Sequence, residues 1–293
     1  MVAPDSYSHI LVEPLTGHIG AEISGVTLAE PLADPVVDEI NRALLTHLVV
    51  FFRDQEITPA QHKAFAENFG DFHIHPLAGG GMGGSAGGVL GDHPEIIVLE
   101  SDETTKINAD RWHSDVTYDT HPPMGSILHA KILPESGGDT IWVNLYAAYE
   151  ALSAHMQRLL DPLVAIHDGI TESVVARYMS QSDGPQALAT LRQQIPPVEH
   201  PVVRTHSVTG KKSVFVNEVF TREIKGMNPP ESRALLGFLY EHFHSPEFQV
   251  RFRWAENSIA FWDNRCTLHY AVYDYWPQRR RMQRVTIAGE RPR

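Results

Sequence analysis

Short apolar segments separated by turn residues are the feature that most restricts the fold of this chain. Segments typical of strands occur at 48–52, 96–99, 126–132, 140–143, 201–205, 213–217, 248–254, 258–262 and 281–288. Helical spacing is confined to 35–46, 58–69, 147–160 and 231–243, and the polar stretch 168–197 is expected to be an irregular insertion with some helix. Many short strands with few helices predict a mainly β fold with flanking helices (α+β), either a β-sandwich or a jelly roll.

Length and composition describe an ordinary globular chain. There are 293 residues, and neither an internal repeat nor a linker divides them, so we expect one domain over 1–293. The net charge of −12 argues against a nucleic-acid partner, and no apolar run approaches the roughly 20 residues that cross a membrane. Met1 to His9 do not resemble a signal peptide, and Cys266 stands alone, which favours a cytoplasmic location.

The segment 79–88 contains seven glycines in ten residues. Glycine loses much backbone entropy on ordering, so this composition cannot support a regular element. We expect a flexible loop, in the first place an ordinary surface loop. The alternative is a mobile lid, for which the slight support is His75 just before the segment. A phosphate-binding loop is excluded because no Lys-Ser/Thr pair and no helical pattern follow.

A possible metal site begins with the segment Arg111-Trp112-His113-Ser114-Asp115-Val116. In an extended strand His113 and Asp115 would project from the same face, about 7 Å apart along the chain. His269 is the best candidate for a third ligand. Two histidines and one carboxylate are the ligand set of non-haem Fe(II) oxygenases. The alternative is that these are ordinary core or surface side chains.

Two arginines near the end of the chain suggest anion binding. If 279–288 is extended, Arg280 and Arg284 lie on one face, about 13 Å apart. A guanidinium binds carboxylate or sulfonate oxygens through paired, charge-assisted hydrogen bonds. On composition alone, the interpretation of Arg279-Arg280-Arg281 as a solvated basic patch is favoured over anion binding.

Together these motifs resemble the taurine dioxygenase family of Fe(II)/2-oxoglutarate-dependent dioxygenases. The resemblance extends from Leu15 to Gly289. It rests on Trp112-His113-Ser114-Asp115-Val116-Thr117, Gly137-Gly138-Asp139-Thr140, Phe215-Val216-Asn217-Glu218, Trp262-Asp263-Asn264-Arg265 ahead of His269, Gln278-Arg279-Arg280 and Arg284-Val285-Thr286. The resemblance implies a double-stranded β-helix (jelly-roll) core.

The resemblance also implies roles for the iron and co-substrate residues. His113, Asp115 and His269 correspond to the iron ligands. Thr140 and Arg280 correspond to the residues that bind the distal carboxylate of 2-oxoglutarate. Fe(II) as cofactor, with 2-oxoglutarate and O2 as co-substrates, is therefore expected.

Four further residues correspond to the site of the primary substrate. Arg284 and His75 match positions that bind its sulfonate, Val116 matches a backbone contact, and Phe220 matches an aromatic wall. The implied reaction hydroxylates the carbon beside the sulfonate of taurine or a related alkylsulfonate, releasing sulfite, an aldehyde, succinate and CO2. The family also implies a homo-oligomer that acts on a small anionic organic molecule.

Some positions depart from the family members that act on taurine. Ala78 and Ala109 replace a tyrosine and an asparagine, and a phenylalanine of the pocket is replaced near Ser173. These changes favour a larger or more apolar substrate tail. Alkyl sulfate esters and phenoxyalkanoate acids are the alternative substrates, and a catalytically silent jelly-roll module that binds an anion is the alternative of another class.

Overall fold

The structure, a computed structural model, describes residues 7–76, 88–106 and 109–293. The strands are β1 Leu11–Pro14, β2 Ala21–Ser24, β3 Val49–Phe52, β4 Val89–Leu90, β5 His93–Ser101, β6 Gly125–Ile132, β7 Thr140–Asn144, β8 Val164–His167, β9 Val198–Pro201, β10 Val203–Thr205, β11 Lys212–Val214, β12 Thr221–Ile224, β13 Gln249–Phe252, β14 Ile259–Asp263, β15 Thr267–Ala271 and β16 Arg280–Ile287. The helices are α1 Asp34–His47, α2 Pro59–Glu67, α3 Leu145–Glu150, α4 Ala154–Leu160, α5 Glu172–Met179, α6 Gly184–Gln194 and α7 Pro229–Phe243.

An eight-stranded sheet forms one wall of the molecule, in the order β1-β2-β3-β14-β6-β16-β5-β4. Both faces of its centre are buried, as the continuous apolar run of β3 predicts. Val50 and Phe52 pack with α1 and α2 on one face, whereas Val49 and Phe51 point to the other. The helices therefore close one side of this sheet and leave the other side for a second sheet.

The second sheet consists of β13-β7-β15 and packs against the first. Trp142 and Phe252 from this sheet join Phe51, Trp262 and Met282 in one buried cluster between the two sheets. Two facing, mostly antiparallel sheets with helices outside the larger one confirm the expected jelly roll.

The period of two along β16 decides where its arginines point. Met282 lies in the core between the sheets, while Val285 and Ile287 pack beneath α1 and α2. Arg280 and Arg284 share the phase of Met282, so their side chains enter the space between the sheets and are buried. The interpretation of residues 279–281 as a solvated basic patch is therefore wrong for Arg280.

Several predictions of local structure need correction. The strand β15, which carries His269, was not predicted, because its five residues follow directly on the turn that ends β14. The stretch 168–197 is more regular than expected and forms α5 and α6, which pack apolar residues inward. The helix expected over 147–160 divides into α3 and α4, since Ser153 caps a new helix. The glycine-rich loop, except for Gly88, lies outside the described residues.

Candidate metal and anion site

The structure brings the three expected ligands together from distant parts of the chain. His113 and His269 face each other across an isolated antiparallel bridge, with backbone N–H to O=C distances of 3.0 and 2.7 Å. Asp115 lies beside them, and one potential ligand atom from each of the three residues lies within 4.8 Å of the others. This spacing allows all three side chains to coordinate one ion.

The local backbone differs from the extended strand assumed for His113 and Asp115. The bridge ends at His113, and the chain turns from Asp115 onward, with Val116 in the left-handed region at φ 51°. A turn leaves the backbone groups of Asp115 without a strand partner, so another group must satisfy them.

The side chain of Asn264 takes the place of that missing strand. Its Oδ1 accepts a hydrogen bond from the N–H of Asp115 at 2.7 Å, and its Nδ2 donates to the carbonyl of Asp115 at 2.9 Å. Nδ2 also donates to the carbonyl of Pro123 at 3.2 Å. Asn264 is fully buried, so this amide fixes the peptide of Asp115 without competition from water.

The protonation states suit a divalent cation. Burial lowers the pKa of His113 and holds that of His269 well below its usual value, so both imidazoles are neutral near pH 7. Burial opposes ionisation of Asp115, but the Arg284 cation, with His269 and His113, keeps the pKa of its carboxyl below the usual range. His113 Nδ1–H donates to the carbonyl of Arg111 at 2.7 Å, which leaves its Nε2 lone pair for a metal.

Asp115 is held by two further side chains. Ser126 donates to its Oδ2 at 2.8 Å, and the guanidinium of Arg284 contacts its Oδ1 at 2.5 Å. The nitrogens of Arg284 are not all used, since Nε has no hydrogen-bond partner among the described residues. Arg284 therefore lies next to the metal position with capacity for an additional anion. Two neutral imidazoles, an ionised carboxylate and an unused guanidinium donor fit a ferrous ion with an anionic ligand beside it.

Thr140 and Arg280 lie together at the other end of the same cavity. Trp254 Nε1–H donates to Thr140 Oγ1 at 3.0 Å, which leaves the Thr140 proton available to a ligand. Arg280 is 6% exposed, and its Nε and one terminal nitrogen have no hydrogen-bond partner within the described parts of the chain. A buried cation with unused donors is costly unless an anion binds to it.

The glycine pair before Thr140 makes room for this end of the cavity. A Cβ on Gly138 would lie 3.2 Å from the side chains of Arg280 and Tyr275, and its φ of 72° also favours glycine. The N–H of Gly138 donates a hydrogen bond to Asp274 Oδ1 at 2.8 Å. The Gly-Gly sequence thus has a steric reason, because a side chain at residue 138 would crowd Arg280.

One cavity joins the metal position to both arginines. Its lining includes His113 and His269 together with Thr140, Arg280 and Arg284. The remaining lining residues are Leu99, Ala109, Leu128, Trp262, Ala271, Tyr273 and Tyr275. Ala109, one of the expected departures, therefore faces the cavity, whereas Ala78 lies outside the described residues.

His75, Val116 and Phe220 gather beside the metal position around Tyr118. The ring centre of Phe220 lies 6.4 Å from that of His113 and 4.9 Å from that of Tyr118. His75 Nε2 lies 3.3 Å from the Tyr118 hydroxyl. Burial and the charge of Arg284 lower the pKa of His75 to about 4, so the ring is neutral near pH 7. All nine expected site residues therefore lie in one region, although these three do not line the cavity described above.

An apolar cluster adjoins this group. Val116 and Tyr118 pack with Ile170, Leu191 and Ile195, and the partly buried Val174, Tyr178, Leu188 and Phe220 surround them. The helices α5 and α6 supply much of this cluster. Ser173, where a family phenylalanine is absent, is exposed on α5, so it does not line the wall in this arrangement.

A second group with metal-ligand chemistry, His206, Asp263 and Cys266, is already satisfied internally. Arg265 donates to both oxygens of Asp263 at 2.9 and 2.7 Å, and His206 Nε2 lies 3.0 Å from the same carboxylate. Burial raises the pKa of Cys266 well above its usual value, which disfavours a metal-binding thiolate. This group is a buried ion pair, and Cys266 is packed as expected.

Some contributors to the site were not assigned a role from the sequence. Asn264 belongs to a motif that was recognised, but its hydrogen bonds to Asp115 could not be inferred from spacing. Ser126, Tyr118 and Trp254 gave no local signal, because each meets the site through long-range packing.

Comparison with known proteins agrees with this geometry. Residues 11–286 match the family described as taurine catabolism dioxygenase TauD, TfdA family. An alkylsulfatase of Acinetobacter baylyi is 38% identical over 94% of this chain and 84% of its own length. An alpha-ketoglutarate-dependent sulfate ester dioxygenase of Pseudomonas putida is 37% identical over 96% of this chain and 90% of its own.

Solved structures give the same result. The crystal structure of a taurine dioxygenase from Burkholderia xenovorans superposes with a TM-score of 0.80 at 37% identity, covering 97% of this chain and 91% of that one. Within the described residues, no helix is both long and apolar enough to span a membrane. Sequence and structure together show that the chain belongs to the taurine catabolism dioxygenase TauD, TfdA family of 2-oxoglutarate-dependent dioxygenases.

Proposed function

We propose that this enzyme uses Fe(II), 2-oxoglutarate and O2 to hydroxylate the carbon that bears the sulfonate or sulfate ester group of an alkyl substrate. The observation that carries the proposal is one cavity lined by the buried Arg280 and Arg284 and by His113 and His269, whose ligand atoms lie within 4.8 Å of a carboxylate oxygen of Asp115. One arginine suits the co-substrate and the other suits the substrate anion.

His113, Asp115 and His269 would hold the iron. Two imidazoles and a carboxylate on one side of an ion leave other coordination positions for exogenous ligands. When bound, the metal supplies the activation of O2 that is coupled to oxidative decarboxylation of 2-oxoglutarate. Asn264 fixes the backbone of Asp115, and Ser126 donates to its carboxylate, so the two together orient this ligand.

Arg280 and Thr140 would bind the distal carboxylate of 2-oxoglutarate. The unpartnered donors of Arg280 supply charge-assisted hydrogen bonds, and the Thr140 proton supplies another, because Trp254 already donates to its oxygen. This fixes the co-substrate at its far end and leaves its keto acid end near the metal position.

Arg284 would bind the sulfonate or sulfate group of the primary substrate, with neutral His75 beside it. The apolar cluster of Val116, Tyr118 and Phe220 with α5 and α6 would surround the tail. An ammonium group such as that of taurine finds few acceptors among these side chains, so an uncharged alkyl tail is the better match.

The two candidate anions give different products. Hydroxylation beside a sulfonate makes a carbon that carries both hydroxyl and sulfonate, which breaks down to an aldehyde and sulfite. Hydroxylation beside a sulfate ester gives an aldehyde and sulfate. In either case one O2 and one 2-oxoglutarate are consumed, and succinate and CO2 are released. The relatives named above as alkylsulfatase and sulfate ester dioxygenase favour including the ester.

A substrate panel tests the proposal. Purified enzyme with Fe(II), 2-oxoglutarate and O2 would be given taurine, alkylsulfonates, alkyl sulfates and phenoxyalkanoate acids, with succinate, sulfite, sulfate and phenol measured. We expect succinate in equal amount to sulfite or sulfate for alkyl substrates, and weaker turnover of taurine. Coupled turnover of only the phenoxyalkanoates would contradict the sulfur chemistry.

The catalytically silent alternative is tested without turnover. Adding 2-oxoglutarate to the Fe(II)-loaded protein under anaerobic conditions should produce the visible charge-transfer band of a chelated keto acid. A folded protein that gives no band would favour a silent anion-binding module.

A further inference from the structure

Tyr273 presents an unused hydroxyl at the wall of the cavity. It lines the cavity with Arg280 and Thr140, its hydroxyl oxygen is buried, and that oxygen has no hydrogen-bond partner among the described residues. The neighbouring Tyr275 differs, since its hydroxyl lies 2.7 Å from Ser101 Oγ. A buried hydroxyl without a hydrogen-bond partner is unfavourable. A ligand group that enters the cavity would supply the missing partner.

The strand register places Tyr273 at the co-substrate end. Ala271 pairs with Thr140 across β15 and β7, and the next residue, Val272, donates to the carbonyl of Asp139 at 2.9 Å. The chain therefore runs past Thr140 and away from His269 before it reaches Tyr273.

The contacts of the ring agree with this direction. The Tyr273 and Tyr275 ring centres are 5.1 Å apart, and the guanidinium carbon of Arg280 lies 5.8 Å from the Tyr275 ring centre. Arg280 has two unpartnered nitrogens within the described ranges, and Trp254 leaves the Thr140 proton free. This end of the cavity thus offers several donors, and a carboxylate is the co-substrate group that accepts them all.

We propose that the Tyr273 hydroxyl donates a hydrogen bond to the distal carboxylate of 2-oxoglutarate, as a third donor beside Thr140 and Arg280. The inference rests on the proposed function, because it requires 2-oxoglutarate in this cavity. It assigns Tyr273 to co-substrate binding and leaves the sulfonate or sulfate to Arg284.

The substitution Tyr273→Phe tests the assignment while keeping the ring. Anaerobic titration of the Fe(II)-loaded protein with 2-oxoglutarate would give the dissociation constant from the charge-transfer band. Calorimetric titration of the Mn(II)-loaded protein with the unreactive analogue N-oxalylglycine provides a second measurement. We expect about tenfold weaker binding of both ligands, as for loss of a hydrogen bond to a charged group, with little change in the KM of the alkyl substrate.

Thermal unfolding without ligand separates binding from structure. The substitution removes a hydroxyl that lacks a partner, so the melting temperature of the ligand-free protein should stay constant or rise. Only the rise in melting temperature on adding Mn(II) and N-oxalylglycine should shrink. The control is Tyr270→Phe, three positions earlier in the chain. The Tyr270 ring packs on Trp112, and Tyr270 is not among the residues that line the cavity.

The possible results are decisive. If the wild type binds 2-oxoglutarate and Tyr273→Phe binds it with the same affinity, the role of Tyr273 is overturned and the proposed function stands. Reduced stability of the ligand-free variant with unchanged affinity would make Tyr273 structural. A raised KM for the alkyl substrate with unchanged 2-oxoglutarate affinity would move Tyr273 to the substrate end. Failure of the wild type itself to bind 2-oxoglutarate would instead overturn the proposed function.

Discussion

At the scale of single residues, hydrogen bonds from buried side chains fix two residues of the candidate site, Asp115 and Thr140. Asn264 satisfies both backbone groups of Asp115, and Trp254 orients the hydroxyl of Thr140. Neither residue is expected to touch a substrate. Each acts by holding another residue of the candidate site in position. We therefore expect its substitution to weaken ligand binding while the fold is retained.

Asn264→Ala should weaken metal binding. It leaves the N–H and C=O of Asp115 buried without partners, which costs about 1–3 kcal/mol in unfolding free energy. Loss of such supporting contacts typically reduces metal affinity by about 10–100-fold. Mn(II) titration and urea unfolding would measure both, with Asn68→Ala at the exposed end of α2 as the control. Unchanged Mn(II) affinity would show that the turn holds Asp115 without Asn264.

Trp254→Phe should reduce affinity for 2-oxoglutarate alone. Without the indole donor, the Thr140 hydroxyl can rotate and no longer directs its proton to the ligand. We expect the KM for 2-oxoglutarate to rise roughly threefold to tenfold, the value of one neutral hydrogen bond. Steady-state kinetics with each substrate varied would measure this. Trp276→Phe, which removes an indole donor at an exposed site, is the control, and an equal rise there would contradict the argument.

At the scale of secondary-structure elements, α5 and α6 form the wall of the expected tail site. Besides their apolar contacts, an ion pair connects α6 to the segment before α5. Arg192 on α6 donates to both oxygens of Asp168 at 2.8 and 2.9 Å. The N–H of Asp168 in turn donates to the carbonyl of Phe220 at 2.8 Å. The helical pair is therefore linked to the aromatic residue beside the metal position.

Arg192→Met should loosen this helical pair without unfolding the protein. The Arg192 side chain is 41% exposed, so its ion pair with Asp168 contributes at most about 1 kcal/mol to the free energy of unfolding. Amide hydrogen exchange within 172–194 should therefore accelerate by up to about fivefold, with other regions unchanged. Lys225→Met breaks an exposed pair with Glu199 and serves as the control. Equal amide exchange rates within 172–194 in the two variants would show that the Arg192–Asp168 ion pair does not stabilise these helices.

At the scale of the whole molecule, Glu39 ties the start of the chain to α1. Its carboxylate accepts hydrogen bonds from the N–H groups of Ser8, His9 and Ile10. Burial raises the pKa of Glu39, but these bonds and the His9 side chain outweigh it and hold the pKa at about 2, against an ordinary 4.5. The ionised form is therefore favoured in the folded state.

Glu39→Gln should reduce stability in a pH-dependent way. A carboxyl whose pKa falls on folding stabilises the protein above its unfolded pKa, and this contribution disappears as the pH falls toward the folded value. The wild type should exceed the variant in unfolding free energy most above about pH 5, and the difference should shrink between pH 4.5 and about 2. Urea unfolding across this range would measure it, and a difference that does not depend on pH would contradict the assignment.

Three properties of the whole molecule stay predictions. The family resemblance implies a homo-oligomeric assembly, and the sequence predicts a cytoplasmic location and a single domain over 1–293.

The sequence by itself determined the residue types of the site and much of the fold. The period of two in β16 put Arg280 and Arg284 on one face, the run Leu48–Phe52 predicted a strand buried on both sides, and the motifs predicted a jelly roll. These features are local, because alternation and side-chain chemistry can be read within a few residues.

Only the tertiary structure decided how the distant parts meet. The bridge between His113 and His269, the contact of Arg284 with Asp115 and the amide of Asn264 on the Asp115 peptide all depend on how separate strands are placed against one another. A shift of one residue in the pairing of β15 or β16 would turn His269 or Arg284 to the opposite face of its strand. No short-range pattern encodes that register, since it is set by the packing of the two sheets around their shared core.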